Sequence, residues 1–255
     1  MEFNSLSKTK AKELKALSHK KERDEKGLFM AEGEKCVLDL LPAFKLKYLI
    51  CTARWIETHK EYGHLYGDNV LISDHRGIEI ISSLQSLPEV IAIFHKPTYS
   101  ETTILPNIDK AYFLLLDGIQ DPGNLGTIIR TADWFGVYHI YASKNTADAF
   151  SPKVVQATMG SLARVNIYYT DLFQLISEYK KIPVIGTLLD GKPLSKVNLP
   201  DNGFLLMGNE GRGISSELKT LITHPVTIPP VNQANHPDSL NVAIATGILL
   251  NTMIT

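Results

Sequence analysis

The chain of 255 residues lacks the features that mark secreted, membrane-spanning or strongly basic proteins. It has two cysteines, Cys36 and Cys51, both in apolar surroundings, which predicts buried thiols in a reducing compartment rather than a disulfide framework. Its most apolar stretch, 240–254, is interrupted by polar residues and is too short to span a membrane. The first twenty residues contain no apolar segment, so we expect no secretory signal and a cytoplasmic location.

Net positive charge is also missing, because the whole chain carries a formal charge of −1. Basic residues are nevertheless concentrated near the start, where Lys8, Lys12 and Lys15 share one helical face. A lysine face is usually solvated surface, but here the basic run continues through residues 20–26. We therefore predict contacts with phosphate groups from six side chains: Lys8, Lys12, Lys15, Lys20, Lys21 and Arg23.

The pattern of apolar residues divides the chain into two α/β regions. Short strands and helices alternate over residues 1–95, which predicts a small N-terminal domain. Residues 96–108 are polar, contain Pro97 and Pro106, and are expected to form a linker. From 109 to 255, continuous apolar runs suited to buried parallel strands alternate with helices, which predicts a second domain built on a parallel sheet.

Three polar, glycine-rich segments follow apolar strands in this second region: 117–130, 207–213 and 239–242, the last after Ile228-Pro229-Pro230. Ligands of α/β proteins bind at the ends of parallel strands, so we expect one composite site. The glycine spacing of 207–213 is not the dinucleotide fingerprint, and no phosphate-loop lysine follows. This spacing disfavours a nucleotide-dependent oxidoreductase or ATPase.

Individual residues of these segments have ordinary structural readings as well. Asn124 and Ser239 are expected to cap helices, and an exposed Arg130 follows Asn124 by less than two turns. Glu210 needs a partner if it is buried, and an arginine is the natural one. The loop around Glu210 is suited to lie against a flat adenine.

Taken together, the residues and the order of the three segments resemble the signature motifs of the SpoU (TrmH-like) branch of the SPOUT methyltransferases. The start of the chain, including 14–23 and 27–33, looks like the substrate-binding domain that precedes the catalytic domain in many members. The resemblance implies a catalytic domain with a trefoil knot, S-adenosylmethionine as methyl donor, RNA as substrate and a homodimer. The reaction it implies is methyl transfer to a ribose 2′-hydroxyl.

The resemblance also implies site residues, carried over position by position. The catalytic polar set is Asn124, Arg130, Glu210, Ser239 and Asn241. The donor contacts are Thr187, Gly208, Asn209, Gly211, Ile228, Pro229 and Leu240. No metal is implied, and no cluster with metal-ligand spacing is visible in the sequence.

Arg130 is expected to serve the donor site of the partner subunit. A guanidinium is a poor base because it stays protonated, so positioning phosphate and stabilising the developing alkoxide is the favoured role. Glu210 and Asn241 are expected to orient Arg130. Ribosomal RNA is the favoured substrate, with transfer RNA or a catalytically silent RNA-binding protein as alternatives. The segment 230–238, with His236, is longer than usual for the family and lacks glycine.

Overall fold

A computed structural model describes residues 3–98, 111–232 and 237–254. The first range contains five strands and six helices. In chain order they are β1 (Asn4–Ser5), α1 (Lys8–Lys15), α2 (Lys20–Lys26), β2 (Leu28–Glu32), α3 (Glu34–Leu40), β3 (Leu46–Cys51), α4 (Ala53–Thr58), α5 (Lys60–Tyr66), β4 (Val70–Ile72), α6 (His75–Ile81) and β5 (Val90–His95).

The remaining described residues form six strands and five helices. They are β6 (Tyr112–Asp117), α7 (Pro122–Trp134), β7 (His139–Ala142), α8 (Pro152–Thr158), β8 (Asn166–Tyr169), α9 (Leu172–Glu178), β9 (Val184–Pro193), β10 (Gly203–Gly208), α10 (Ser216–Lys219), β11 (His224–Thr227) and α11 (Val242–Ile254). None of the described helices is long and apolar enough to cross a membrane.

The chain packs into two units whose boundaries do not follow the sequence strictly. The N-terminal unit comprises the described residues up to 98 together with 148–163. The C-terminal unit comprises the described residues of 99–147 and 164–255. Helix α8 therefore belongs to the N-terminal unit, where it packs on β2. The predicted limits 1–95, 96–108 and 109–255 stay predictions, and residues 99–108 of the linker lie outside the described residues.

The N-terminal unit is built on a five-stranded mixed sheet in the order β1-β4-β3-β5-β2. Strand β5 runs antiparallel to both β2 and β3, while β4 is parallel to β3. Helix α1 supplies Leu14 to the main core and, with Leu17 just beyond it, packs with Ile78 of α6 against the sheet. The predicted small α/β domain is confirmed.

The C-terminal unit has a six-stranded sheet, entirely parallel, in the order β11-β9-β10-β6-β7-β8. Strand β10, Gly203–Gly208, is fully buried along its length, as expected for a central parallel strand. Because all six strands are parallel, their carboxyl ends lie at one edge of the sheet. The predicted parallel-sheet domain is confirmed, and the trefoil knot stays a prediction.

Candidate active site

The first segment of the site joins the carboxyl end of β6 to helix α7. Asp117 ends the strand, and Gly118 turns the chain with a positive φ of 72°. Helix α7 begins at Pro122, and Asp121 caps it by accepting a hydrogen bond from the backbone N–H of Asn124 at 2.8 Å. The prediction that Asn124 is the cap is therefore wrong. The pair Asp-Pro, with the acceptor before a first-turn proline, was the available signal.

The second segment is a closed loop at the carboxyl end of β10. Asn209 and Gly213 exchange two backbone hydrogen bonds, and the Asn209 carboxamide oxygen accepts from the N–H groups of Gly211 and Arg212. Its carboxamide nitrogen donates to the Gly118 carbonyl at 2.7 Å, which ties this loop to the first segment. Asn209 therefore shapes the loop.

Gly208 lies where two stretches of backbone approach closely. A Cβ on Gly208 would come within 2.3 Å of the Ile214 nitrogen and 2.4 Å of the Gly213 carbonyl carbon. Any side chain would displace the loop backbone, so glycine is required there by packing. Gly211, in contrast, is exposed, and a Cβ there would make only an ordinary contact, 3.7 Å from the Asn209 carboxamide oxygen.

The carboxylate of Glu210 reaches back to the start of α7. It accepts hydrogen bonds from four N–H groups: the backbones of Gln120 and Asp121, each at 3.3 Å, and the carboxamides of Asn124 at 3.1 Å and Asn209 at 3.4 Å. Burial alone would raise the pKa of Glu210, but these bonds and one from its own backbone hold that pKa below its ordinary value. The expected arginine partner is wrong, because helix-terminal N–H groups fill that role.

The third segment closes the arrangement through Asn241. Its carboxamide nitrogen donates to the Asn124 carboxamide oxygen at 2.8 Å, and its oxygen accepts from the backbone N–H of Ala243 at 2.9 Å. Helix α11 begins at Val242, so Asn241 is its cap and the prediction of Ser239 as the cap is wrong. Asn124, Glu210 and Asn241 together form what we call the clasp. The clasp brings the three predicted segments into one site.

Two predicted catalytic side chains stand apart from the clasp. Arg130 is exposed on α7, and within the described residues nothing accepts a hydrogen bond from it or pairs with it. Ser239 is exposed as well, and its hydroxyl has no hydrogen-bond partner in the described part of the chain. Glu210 and Asn241 were expected to orient Arg130, but the hydrogen bonds of both are committed elsewhere. Arg130 is therefore free to contact a substrate.

The predicted donor contacts follow the neighbouring strands β9, β10 and β11 at the same sheet edge. Thr187 lies in β9, Gly208 ends β10, and Ile228 and Pro229 follow β11. The β9–β11 register jumps from the pair Gly186–Pro225 to Lys192–Val226, so 187–191 have no partner in β11.

Two of the predicted donor contacts leave apolar surface accessible at this edge of the sheet. Leu240 exposes 50% of its surface, and Ile228 is partly exposed. Their role in donor binding stays a prediction. His236, in the lengthened segment 230–238, lies outside the described residues.

The six predicted RNA-binding side chains of the N-terminal unit differ in availability. Lys8 and Lys12 are exposed. Lys15 donates to the carbonyls of Ile81 and Ser82 and so caps the end of α6.

The remaining three are engaged with acids. Lys20 and Lys21 pair with acids one turn later, at 2.6 and 3.8 Å. Arg23 is 2% exposed and is held by the Asp148 carboxylate and two backbone carbonyls. We therefore no longer assign Arg23 to an RNA-contacting surface.

Sequence reasoning missed two groups that shape this edge of the sheet. Asp117 is buried and accepts a hydrogen bond at 2.7 Å from the backbone N–H of Ser215. The Ser143 hydroxyl accepts from the Gly118 N–H at 2.8 Å, which fixes the turn after β6. Neither contact has a signal in the sequence, since both join loops that are distant along the chain.

Comparison with known families gives two matches that together cover most of the chain. Residues 111–251 match the SpoU rRNA Methylase family. Residues 8–92 match the MRM3-like substrate binding domain. The boundary between the two matches falls in the region predicted as a linker.

Individual proteins resemble the chain over nearly its full length. The 23S rRNA (guanosine(2553)-2′-O)-methyltransferase RlmP of Bacillus subtilis is 30% identical, over 98% of this chain and 97% of its own. The AdoMet-bound rRNA methyltransferase structure from Sinorhizobium meliloti has a TM-score of 0.85 and 34% identity, and the match covers 99% of this chain and 97% of that one. A TrmH-family structure from Porphyromonas gingivalis has a TM-score of 0.84 and 37% identity, covering 97% and 98% of the two chains.

Proposed function

The chain belongs to the SpoU rRNA methylase family, and we propose that it transfers the methyl group of S-adenosylmethionine to a ribose 2′-hydroxyl of ribosomal RNA. The observation that carries this proposal is the clasp. Three segments separated by some eighty and thirty residues are joined by direct side-chain hydrogen bonds from Asn124 to Glu210 and from Asn241 to Asn124.

Arg130 supplies the group that acts on the reacting ribose. Its guanidinium stays charged at any physiological pH and offers five donors in a planar fork. Aimed at the ribose oxygen and the adjacent phosphate, it stabilises the negative charge that develops as the hydroxyl proton leaves. Ser239, exposed and unpartnered among the described residues, is a second donor for the same region.

The clasp residues act as positioning residues in this account. The three side chains of the clasp form hydrogen bonds with one another and with helix termini. These bonds hold the loops in place before the substrate binds. Such preorganisation favours reaction because the loops need no reordering in the transition state.

S-adenosylmethionine, when bound, supplies the electrophilic methyl group. Seven residues would hold it: Thr187, Gly208, Asn209, Gly211, Ile228, Pro229 and Leu240. Ile228 and Leu240 contribute apolar surface, while the loop after β10 contributes backbone groups. Metal independence, which the sequence led us to expect, remains part of the proposal.

A homodimer completes the site in this proposal. Helices α7 and α11 pack together and expose large apolar side chains, with Trp134 84%, Ile244 56% and Ile248 38% exposed. An exposed apolar face of this kind is typical of an interaction surface, and we assign it to a second copy of the chain. Arg130 lies one turn before Trp134 on the same side of α7, so it would stand at the edge of that interface.

Ribosomal RNA is preferred over transfer RNA on the strength of a relative that matches both units. The relative RlmP, similar over nearly the whole chain, is named for action on 23S rRNA. A cytoplasmic location follows from this choice of substrate and stays part of the proposal.

Methyl transfer from labelled S-adenosylmethionine tests the proposal. The purified protein should label ribosomal RNA transcripts that lack modifications and should leave transfer RNA transcripts unlabelled. Labelling of transfer RNA alone would assign the other substrate class. Binding of RNA without any transfer, in a protein shown to bind the donor, would identify a silent RNA-binding protein.

A further inference from the structure

The N-terminal unit contains an open cleft of about 480 Å³ formed by the end of α2, the residues just before β3 and the end of β5. Its lining includes four basic side chains: Lys26, Lys45, His95 and Lys96. Phe44 contributes an aromatic surface, and no carboxylate lines the cleft among the described residues. A cleft lined by one sign of charge concentrates ions of the opposite sign.

The basic groups of this cleft are not neutralised equally. Lys96 pairs with Asp24 at 2.7 Å, and Lys26 pairs with Glu22 at 3.2 Å. Lys45 and the neighbouring Lys47 are exposed, and no carboxylate of the described residues lies within 4.0 Å of either ammonium group. Their charges are available to a ligand.

The pKa of His95 is affected by the positive charges near the cleft. Burial lowers the pKa of His95, and the charges of Lys45 and Lys47 lower it further. Both lysines therefore act on the imidazole, and no acid offsets them there.

The backbone holds these groups in fixed positions. The His95 N–H donates to the Lys45 carbonyl at 2.9 Å, and the Lys96 N–H donates to the Gly27 carbonyl at 2.8 Å. The Phe44 ring packs edge-on against Phe29, with centroids 5.0 Å apart. The backbone of the cleft is therefore held in place by hydrogen bonds, and the lysine side chains extend from it.

We propose that Lys45, which lines the cleft, and the neighbouring Lys47 form a phosphate-binding site for the RNA substrate, separate from the lysines of α1. The proposal rests on the proposed function for the identity of the ligand. The ammonium group of Lys45 in the cleft and that of Lys47 beside it, which lies 5.5 Å from the centre of the Tyr48 ring, have no acid partner among the described residues and match the repeated phosphates of an RNA strand. The N-terminal helices offer less, because Lys15 caps a helix and Arg23 is buried in an ion pair.

The salt dependence of RNA binding tests this site. Dissociation constants for an unmodified ribosomal RNA transcript would be measured between 50 and 300 mM salt for wild type and for K45Q/K47Q. The matched control is K180Q/K181Q, which removes two exposed charges from the C-terminal unit. A K45R/K47R variant keeps both charges. Melting temperature and S-adenosylmethionine affinity would be measured for all four proteins.

Loss of two phosphate contacts should flatten the slope of log K against log salt by about 1.4 and weaken binding about tenfold near physiological salt. The K180Q/K181Q and K45R/K47R variants should bind as wild type does. If K45Q/K47Q binds RNA with unchanged salt slope and affinity, the proposed site is overturned. The same result is expected if the cleft binds an acidic protein instead of RNA. That result is distinguishable from failure of the proposed function, in which wild type itself neither binds nor methylates ribosomal RNA.

Discussion

Asn241 performs two tasks that can be separated by substitution. Its carboxamide oxygen caps α11, and its carboxamide nitrogen donates to Asn124 in the clasp. Asn241→Ala removes both interactions. Asn241→Asp keeps an acceptor at the helix N-terminus, where aspartate caps as well as asparagine does, but it cannot donate to Asn124.

The magnitudes follow from these contacts. Loss of an N-cap costs about 1 kcal/mol, and loss of a hydrogen bond costs about 1 kcal/mol. Asn241→Ala should therefore lower the free energy of unfolding by about 2 kcal/mol, and Asn241→Asp by about 1 kcal/mol or less. For a unit of this size, the melting temperature should fall by about 4–8 °C for the alanine variant.

The methyl-transfer rates of these two variants should not fall in proportion to their free energies of unfolding. If the clasp positions the loops, both substitutions should reduce single-turnover methyl transfer to a similar extent, although only the alanine variant loses the cap. The matched control is Asn198→Ala, since Asn198 is exposed and has no hydrogen-bond partner in the described part of the chain.

A double-mutant cycle measures the clasp bond directly. Asn124→Ala and Asn241→Asp should show a coupling free energy of at least about 0.5 kcal/mol in stability, because each variant removes the same bond. A coupling energy of zero, together with full activity in Asn241→Asp, would refute the reasoning that the clasp assembles the site.

The other predictions concern the free arginine, the Glu210 carboxylate and the buried ion pair. Arg130→Ala should slow methyl transfer about a hundredfold or more with donor binding unchanged, and Arg130→Lys should rescue little; near-normal rates would remove Arg130 from the chemistry. Heterodimers of Arg130→Ala with Gly211→Trp chains should regain activity if the arginine serves the partner's donor site, and inactive, correctly paired heterodimers would place it in the same subunit. Because the pKa of Glu210 is lowered in the folded protein, the ionised carboxylate stabilises the fold above the ordinary glutamate pKa, and this stabilisation is lost as pH falls through the lowered value. Glu210→Gln should therefore flatten the acid side of the curve of unfolding free energy against pH. An unchanged curve would contradict this. Arg23→Ala leaves Asp148 buried without its cation and should cost about 3–5 kcal/mol of unfolding free energy in urea titrations, with a loss under 1 kcal/mol as the contrary result.

The choice of Gly211 rather than Gly208 for blocking the donor site comes from the packing of the loop. A side chain at Gly208 would strike the backbone of 213–214, so that variant would disturb the fold as well as the pocket. Gly211 is exposed, and a Cβ there would lie 3.7 Å from the Asn209 carboxamide oxygen without striking backbone, so we expect a large side chain at this position to disturb the loop less.

Much of the fold could be predicted because its signals are local. The continuous apolar run of β10 and the Gly, Asn and Pro residues that follow the strands identify a parallel sheet with functional ends. The order of the three segments supported a single site, and the clasp confirms that they meet.

The partners within the site could not be predicted, because they depend on where distant loops meet. Glu210 is satisfied by N–H groups at the start of α7, ninety residues earlier, rather than by an arginine. In the sequence Arg23 resembles an exposed basic residue, but in the structure it is buried and paired with Asp148, 125 residues later. Membership of 148–163 in the N-terminal unit has the same origin.

The central claim is that the protein methylates a ribose 2′-hydroxyl of ribosomal RNA. It is tested most directly by digesting labelled ribosomal RNA with alkali after reaction with the wild-type protein. A 2′-O-methyl group blocks alkaline cleavage of the adjacent phosphodiester bond, so the label should be recovered in alkali-resistant dinucleotides, and an Arg130→Ala protein should yield almost none. Label recovered in single nucleotides would mean that a base is methylated and would contradict the account.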